Sequence, residues 1–133
     1  MWFGVLLAIA LIAAPAASTS LDKSSFGAVA RAIFAREAPT SLVFGVLILV
    51  IERRDALARH LATGVTQFSS EMLLAAGALF CTVAGYYGLL PAMEQARLGG
   101  TTQLSFLQLH ALSLAFFGVK GLLVLALAWK AAR

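Results

Sequence analysis

A chain of 133 residues that is 61% hydrophobic and 12% charged lacks the polar surface of a dispersed soluble domain, which carries roughly 25% charged residues. Its net charge of +4 comes from basic residues at the edges of apolar runs, a pattern that suits lipid head groups and not the aromatic-interleaved basic patches of single-strand nucleic-acid binders. Cys81 is the one cysteine, which excludes an internal disulfide, a CxxC pair and a cysteine zinc cluster.

The first apolar run, MWFGVLLAIALIAAPAAS, predicts a helix over residues 2–17. Its APAAS end resembles a signal-peptidase site, but no basic residue precedes Lys23, so a retained helix is expected; cleavage would leave three spans. Next, Phe26, Val29, Ala30, Ile33 and Phe34 recur at helical spacing. With Lys23 and Arg31 off that stripe, and Asp22 or Ser24 as cap, a short amphipathic helix over 24–35 is expected to lie in the membrane interface.

Helix 2 is expected over 36–62, with Pro39 in its first turn and Gly64 just beyond its end. The uncharged run from Ala38 to Ile51 rises only ~21 Å, against a hydrocarbon core of about 30 Å. Arg36 and Glu37 must therefore enter the membrane, or the bilayer must thin. Helix 3 is expected over 71–90, stopped by Pro91. Gly77, Cys81 and Gly85 repeat every fourth residue along it and admit a close neighbour. Tyr86 and Tyr87 suit an interfacial belt.

Helix 4, over 104–130, carries two ionisable groups in an apolar span. Gln103, Phe106, His110, Ser113, Phe117 and Lys120 step by three and four and form one inward seam. Lys120 lies nine residues from Trp129, ~13.5 Å by helix rise and near mid-membrane. No acidic residue is at its depth in this layout, which leaves Thr82 or backbone carbonyls as partners. His110 has more company: antiparallel packing brings it and Ser113 toward Arg36, Glu37 and Tyr86. The candidate polar cluster is thus His110, Ser113, Arg36, Glu37, Tyr86 and Lys120. It serves either as a satisfied network that fixes helix packing or as a site for a ligand, proton or ion.

No nucleophile–base pair, phosphate loop or HExxH motif occurs, so no enzyme activity and no cofactor are expected. His60 and His110 fall on opposite sides of the membrane, and a haem held by paired histidines would need a second chain. Dense basic clusters at Arg53, Arg54 and Arg59 and at Lys130 and Arg133 outweigh Lys23, Arg31, Arg36 and Arg97. That places both termini in the cytoplasm.

Three stretches together resemble the transmembrane protein 205-like family, whose bacterial members carry a domain of unknown function. They are SFGAVARAIF, YYGLLPAMEQAR and FLQLHALS, carrying Phe26, Gly27, Val29, Ile33 and Phe34, then Pro91, then Phe106, His110 and Ser113. Phe117 stands where that family has an asparagine, and Gly85 where it has a polar residue, so its polar network would be thinner here. The resemblance implies a four-span integral membrane protein and no biochemical activity. A looser likeness to the copper-resistance D-type membrane domain is the source of a metal alternative.

These readings give an all-α integral membrane protein. It is a four-transmembrane-helix bundle with an interfacial helix between helices 1 and 2, in the bacterial inner membrane. Lipid is its first partner, other membrane subunits a second, and nucleic acid is none. A non-enzymatic accessory or scaffold role leads. A small transport or ligand-binding module around His110 is the alternative, and haem or copper binding a further one.

Overall fold

A computed structural model describes residues 1–66, 68–101 and 103–133. Among them all regular structure is helical. Four helices are long and apolar enough to cross a membrane: α1 Trp2–Ser20, α2 Lys23–Thr63, α3 Ser70–Arg97 and α4 Phe106–Ala131.

Local chemistry sets the helix starts. The Asp22 carboxylate accepts the backbone N–H of Ser24 (3.1 Å) and of Ser25 (3.3 Å) and so caps α2. Ser69 accepts from the Met72 N–H (3.1 Å) at α3. Ser105 opens α4 with a capping box: its hydroxyl accepts the Gln108 N–H (3.3 Å), and the Ser105 N–H donates to Gln108 Oε1 (2.9 Å). α2 ends at Gly64, whose φ of +70° is the left-handed turn that glycine supplies without a Cβ penalty.

The hydrogen bonds from Ser24 and Ser25 hold the Asp22 carboxyl well below the usual carboxylate range. A lowered folded value means that the cap contributes fully above the ordinary carboxylate range and is lost as pH falls through the lowered one. Asp22→Ala is expected to speed amide hydrogen exchange at Ser24, Ser25 and Phe26 while leaving the far end of α2 unchanged.

The segments expected as an interfacial helix (24–35) and a second helix (36–62) are one continuous element of 41 residues. Pro39 lies inside it and not in a first turn. The missing proline N–H disfavours that placement by about 3 kcal/mol, and packing offsets it: Glu37, Ala38 and Ser41 around Pro39 are all buried. The other prolines act differently. Pro15 and Pro91 each follow a π-helical stretch, Ile9–Ala13 and Val83–Gly88, which contains the residue four back whose carbonyl the ring would strike. Widening the helix there relieves the clash. α3 consequently runs past Pro91, where a stop was expected, to Arg97.

α3 lies between α2 and α4, and α1 packs on α4 and on the first half of α2. Small residues let the backbones close: Ala38, Ala75 and Ala78 are fully buried. A Cβ on Gly85 would come within 2.6 Å of the Phe116 Cβ. Trp2, Leu6, Ala78 and Val124 form the core, with Phe44, Ile48 and Phe117 against it. At one end Lys130 donates to Ser70 Oγ (2.6 Å) and pairs with Glu71 (3.0 Å), tying the end of α4 to the start of α3.

Candidate functional site

Glu37 and Lys120 meet inside the bundle. Glu37 is the fifteenth residue of α2 and Lys120 the fifteenth of α4, ~21 Å from each helix start at 1.5 Å per residue. The Lys120 ammonium donates to Glu37 Oε1 at 2.7 Å, with both residues about 95% buried (4% and 5% exposed). The Ser41 hydroxyl, one turn along α2, donates to the same carboxylate oxygen. Ser41 in turn accepts the Trp2 indole N–H at 2.9 Å. The result is a buried chain from α1 through α2 to α4: Trp2, Ser41, Glu37, Lys120.

Aromatic side chains close the chain off. Lys120 Nζ lies 5.1 Å from the Phe117 ring centre, a cation–π contact. The Phe34 edge meets that ring at 5.5 Å, and Trp2 stacks with Phe44 at 6.4 Å. Among the described residues no buried side-chain nitrogen or oxygen lacks a hydrogen-bond partner, which is the condition under which a buried charge pair is tolerated. Two cavities open toward the far end of α2, and neither is lined by Glu37 or Lys120.

Of the six residues expected to cluster, the structure joins two, Glu37 and Lys120. His110 is exposed and stacks on Phe106, one turn back, with ring centres 6.2 Å apart. It makes no hydrogen bond or ion pair with Arg36, Glu37 or Tyr86. Ser113 donates to the Gly85 carbonyl at 3.4 Å. Tyr86 meets Tyr87 edge-on at 5.0 Å. The Arg36 side chain is exposed, and its carbonyl accepts the Thr40 hydroxyl at 2.7 Å. Thr82, expected as a partner for Lys120, donates instead to the Ala78 carbonyl at 3.0 Å.

The corrections share one cause. Starting a helix at residue 36 puts Glu37 at a membrane edge, beside His110; starting it at Lys23 carries Glu37 to the depth of Lys120. The inward seam of α4 is accordingly real only from Ser113 onward: Phe106 and His110 are exposed, whereas Lys120, Val124 and Leu127 are buried. Sequence reasoning missed Trp2 and Ser41. The signal for Ser41 was present, because Phe34, Glu37, Ser41, Phe44 and Ile48 recur at helical spacing. Trp2 carried no such signal.

The family model for Domain of unknown function (DUF4149) matches residues 1–102. The chain belongs to this family. The match takes in α1, α2 and α3, and with them Trp2, Glu37 and Ser41; Lys120 lies beyond it, on α4. No curated protein and no solved structure matches the chain. Among the described residues no three His, Cys, Asp or Glu side chains are grouped to hold a metal ion.

Proposed function

We propose that this chain is a non-enzymatic integral protein of the bacterial inner membrane that serves as an accessory or scaffold subunit. Both termini face the cytoplasm. The observation that carries the reading is the closed Trp2–Ser41–Glu37–Lys120 chain: the strongest polar groups of the interior satisfy one another and tie three helices together. The outer surface is apolar, with Leu11, Ile12, Phe80, Leu107 and Leu122 each at least 65% exposed, as suits lipid or a neighbouring helix. The likeness to the transmembrane protein 205-like family supports the four-span layout. Residues 24–35, expected as an interfacial helix, lie in the first turns of α2, and at ~61 Å that helix is longer than the roughly 45 Å of a whole bilayer. Its outer turns therefore sit among head groups.

A ligand or proton site at His110 needed Arg36, Glu37 and Tyr86 around the imidazole, and Glu37 is bonded elsewhere. A haem or copper role requires a second chain to complete the ligand set. In-membrane cross-linking followed by native mass spectrometry tests the scaffold reading. The expected result is recovery with another membrane polypeptide or a second copy; a lone monomer would sink it. An absorption spectrum of that material is expected to show no haem band, and fusion of a cytoplasmic reporter to the C-terminus is expected to be active.

A further inference from the structure

Arg36 stands immediately before Glu37 but turns the other way: Glu37 is buried in the bundle and Arg36 is exposed on its outside. It lies on an outward stripe of α2, in which Ala32, Arg36, Thr40, Val43, Leu47 and Val50 follow one another by three or four and are all exposed. Arg36 is the one charge in that stripe. Its guanidinium has no ion pair, hydrogen bond or ring contact among the described residues. The depth makes this informative. Lys120, to which Glu37 is bonded, is the fifteenth of the 26 residues of α4, ~2 Å by helix rise from the middle of that span. Arg36 therefore sits about 15 Å from either edge of a hydrocarbon core of about 30 Å, roughly twice the reach of an arginine side chain bent toward the head groups.

The backbone beside it points the same way. Pro39 has no N–H to give the Ala35 carbonyl four residues back, and both residues are exposed. The Thr40 hydroxyl, next along the helix, donates to the Arg36 carbonyl instead, at 2.7 Å. In lipid, a carbonyl freed by proline is satisfied by a neighbouring helix or a side chain. We propose that this face of α2 docks a transmembrane helix of a different membrane polypeptide, one that carries an Asp or Glu at mid-membrane. Its carboxylate takes the Arg36 guanidinium through two parallel N–H bonds. Intramembrane charges are paired or turned inward because lipid does not solvate them. A second copy of this chain does not supply the carboxylate. Glu37 is buried against its own Lys120. Asp22 and Glu52, the next acidic residues along α2, are 14 and 16 residues from Arg36, ~21 and ~24 Å by helix rise, and Asp55 is farther. Glu71 is tied to Lys130 at the end of the bundle and Glu94 to Arg97. This inference names the partner chemistry of the scaffold role proposed above and rests on that reading.

The probe is a model leucine–alanine transmembrane helix with one central Glu, mixed with the full chain in phosphatidylcholine vesicles. Energy transfer between fluorophores on the two reads their association. The expected result is association about tenfold tighter than that of the same helix with Gln in place of Glu, the scale of one charge-assisted hydrogen bond. Moving the Glu seven residues toward one end of the probe, ~10.5 Å by helix rise, removes the preference. Arg36→Gln also removes it, with helix content by circular dichroism unchanged, and Arg36→Glu reverses it in favour of a probe with a central Lys. No preference for Glu, or one that survives Arg36→Gln, overturns the proposal. Phosphatidylglycerol enriched around the wild type over Arg36→Gln, with no preference for the Glu probe, assigns Arg36 to a lipid phosphate and overturns it too. In-membrane cross-linking repeated with Arg36→Gln separates this proposal from the reading beneath it. A lone wild-type monomer overturns both. Recovery with a second copy only, or equal recovery of wild type and Arg36→Gln with another polypeptide, overturns this proposal alone.

Discussion

Lys120→Met is expected to destabilise the bundle by about 3–5 kcal/mol, the effect of leaving one member of a buried pair uncompensated. Glu37→Met is expected to do the same. The double variant should recover most of the loss, because two apolar side chains of similar volume replace a pair whose desolvation penalty offsets much of its attraction. The geometry makes the coupling large: the ammonium and carboxylate are 2.7 Å apart and almost wholly buried. Denaturant titration in micelles of all four proteins measures the coupling. Additive single effects would show that the pair contributes nothing beyond its two side chains.

Gly85→Ala is expected to destabilise by about 1–3 kcal/mol through overpacking. The added methyl would stand 2.6 Å from the Phe116 Cβ and 3.2 Å from its Cγ. A Cβ moves only with its backbone, so α4 must shift away from α3. That shift also strains the Ser113 hydroxyl bond to the Gly85 carbonyl and the Phe80–Phe116 edge contact at 6.3 Å. Gly45→Ala also clashes, its Cβ standing 2.5 Å from Leu79 Cδ2, 2.7 Å from Leu79 Cγ and 3.2 Å from the buried Trp2 ring. Gly118→Ala and Gly121→Ala meet nothing within 4 Å and serve as controls. They should be neutral or stabilising, by up to about 1 kcal/mol from helix propensity. Thermal unfolding of the four variants in one detergent checks the order. A Gly85→Ala protein as stable as Gly118→Ala would refute the close approach of α3 and α4.

Much of the secondary structure was legible because it is written locally. Asp22 accepts its own helix's N–H groups and Gly64 closes α2, whereas the Ser69 and Ser105 caps were not anticipated. The four apolar runs announce themselves by length. Prolines were the misleading signal. Pro39 reads as a helix start and Pro91 as a stop, yet α2 passes straight through the first and α3 widens to pass the second. A proline's local penalty of about 3 kcal/mol is within reach of what packing can offset, and packing is not visible one residue at a time.

The candidate site was legible only in its parts. Glu37 and Lys120 both stood out as ionisable groups in apolar helices, but they were assigned to different depths. Their pairing depends on where α2 begins, 14 residues before Glu37, and on the offset between two helices distant in sequence. His110 shows the converse. It shares a helical face with Ser113 and Phe117 by spacing, but the helices that cover that face farther along leave it bare at His110.

The sequence by itself determined the four apolar runs long enough to cross a membrane, the Asp22 start and the Gly64 stop, because each follows from residues within a few positions of one another. Which charge meets which was decided by tertiary structure alone. Helical periodicity says which residues share a face; it is silent on which neighbour that face meets and at what height. Small residues such as Ala38, Ala78 and Gly85 set those heights by allowing close approach. That approach brings Glu37 to Lys120 and leaves His110 outside.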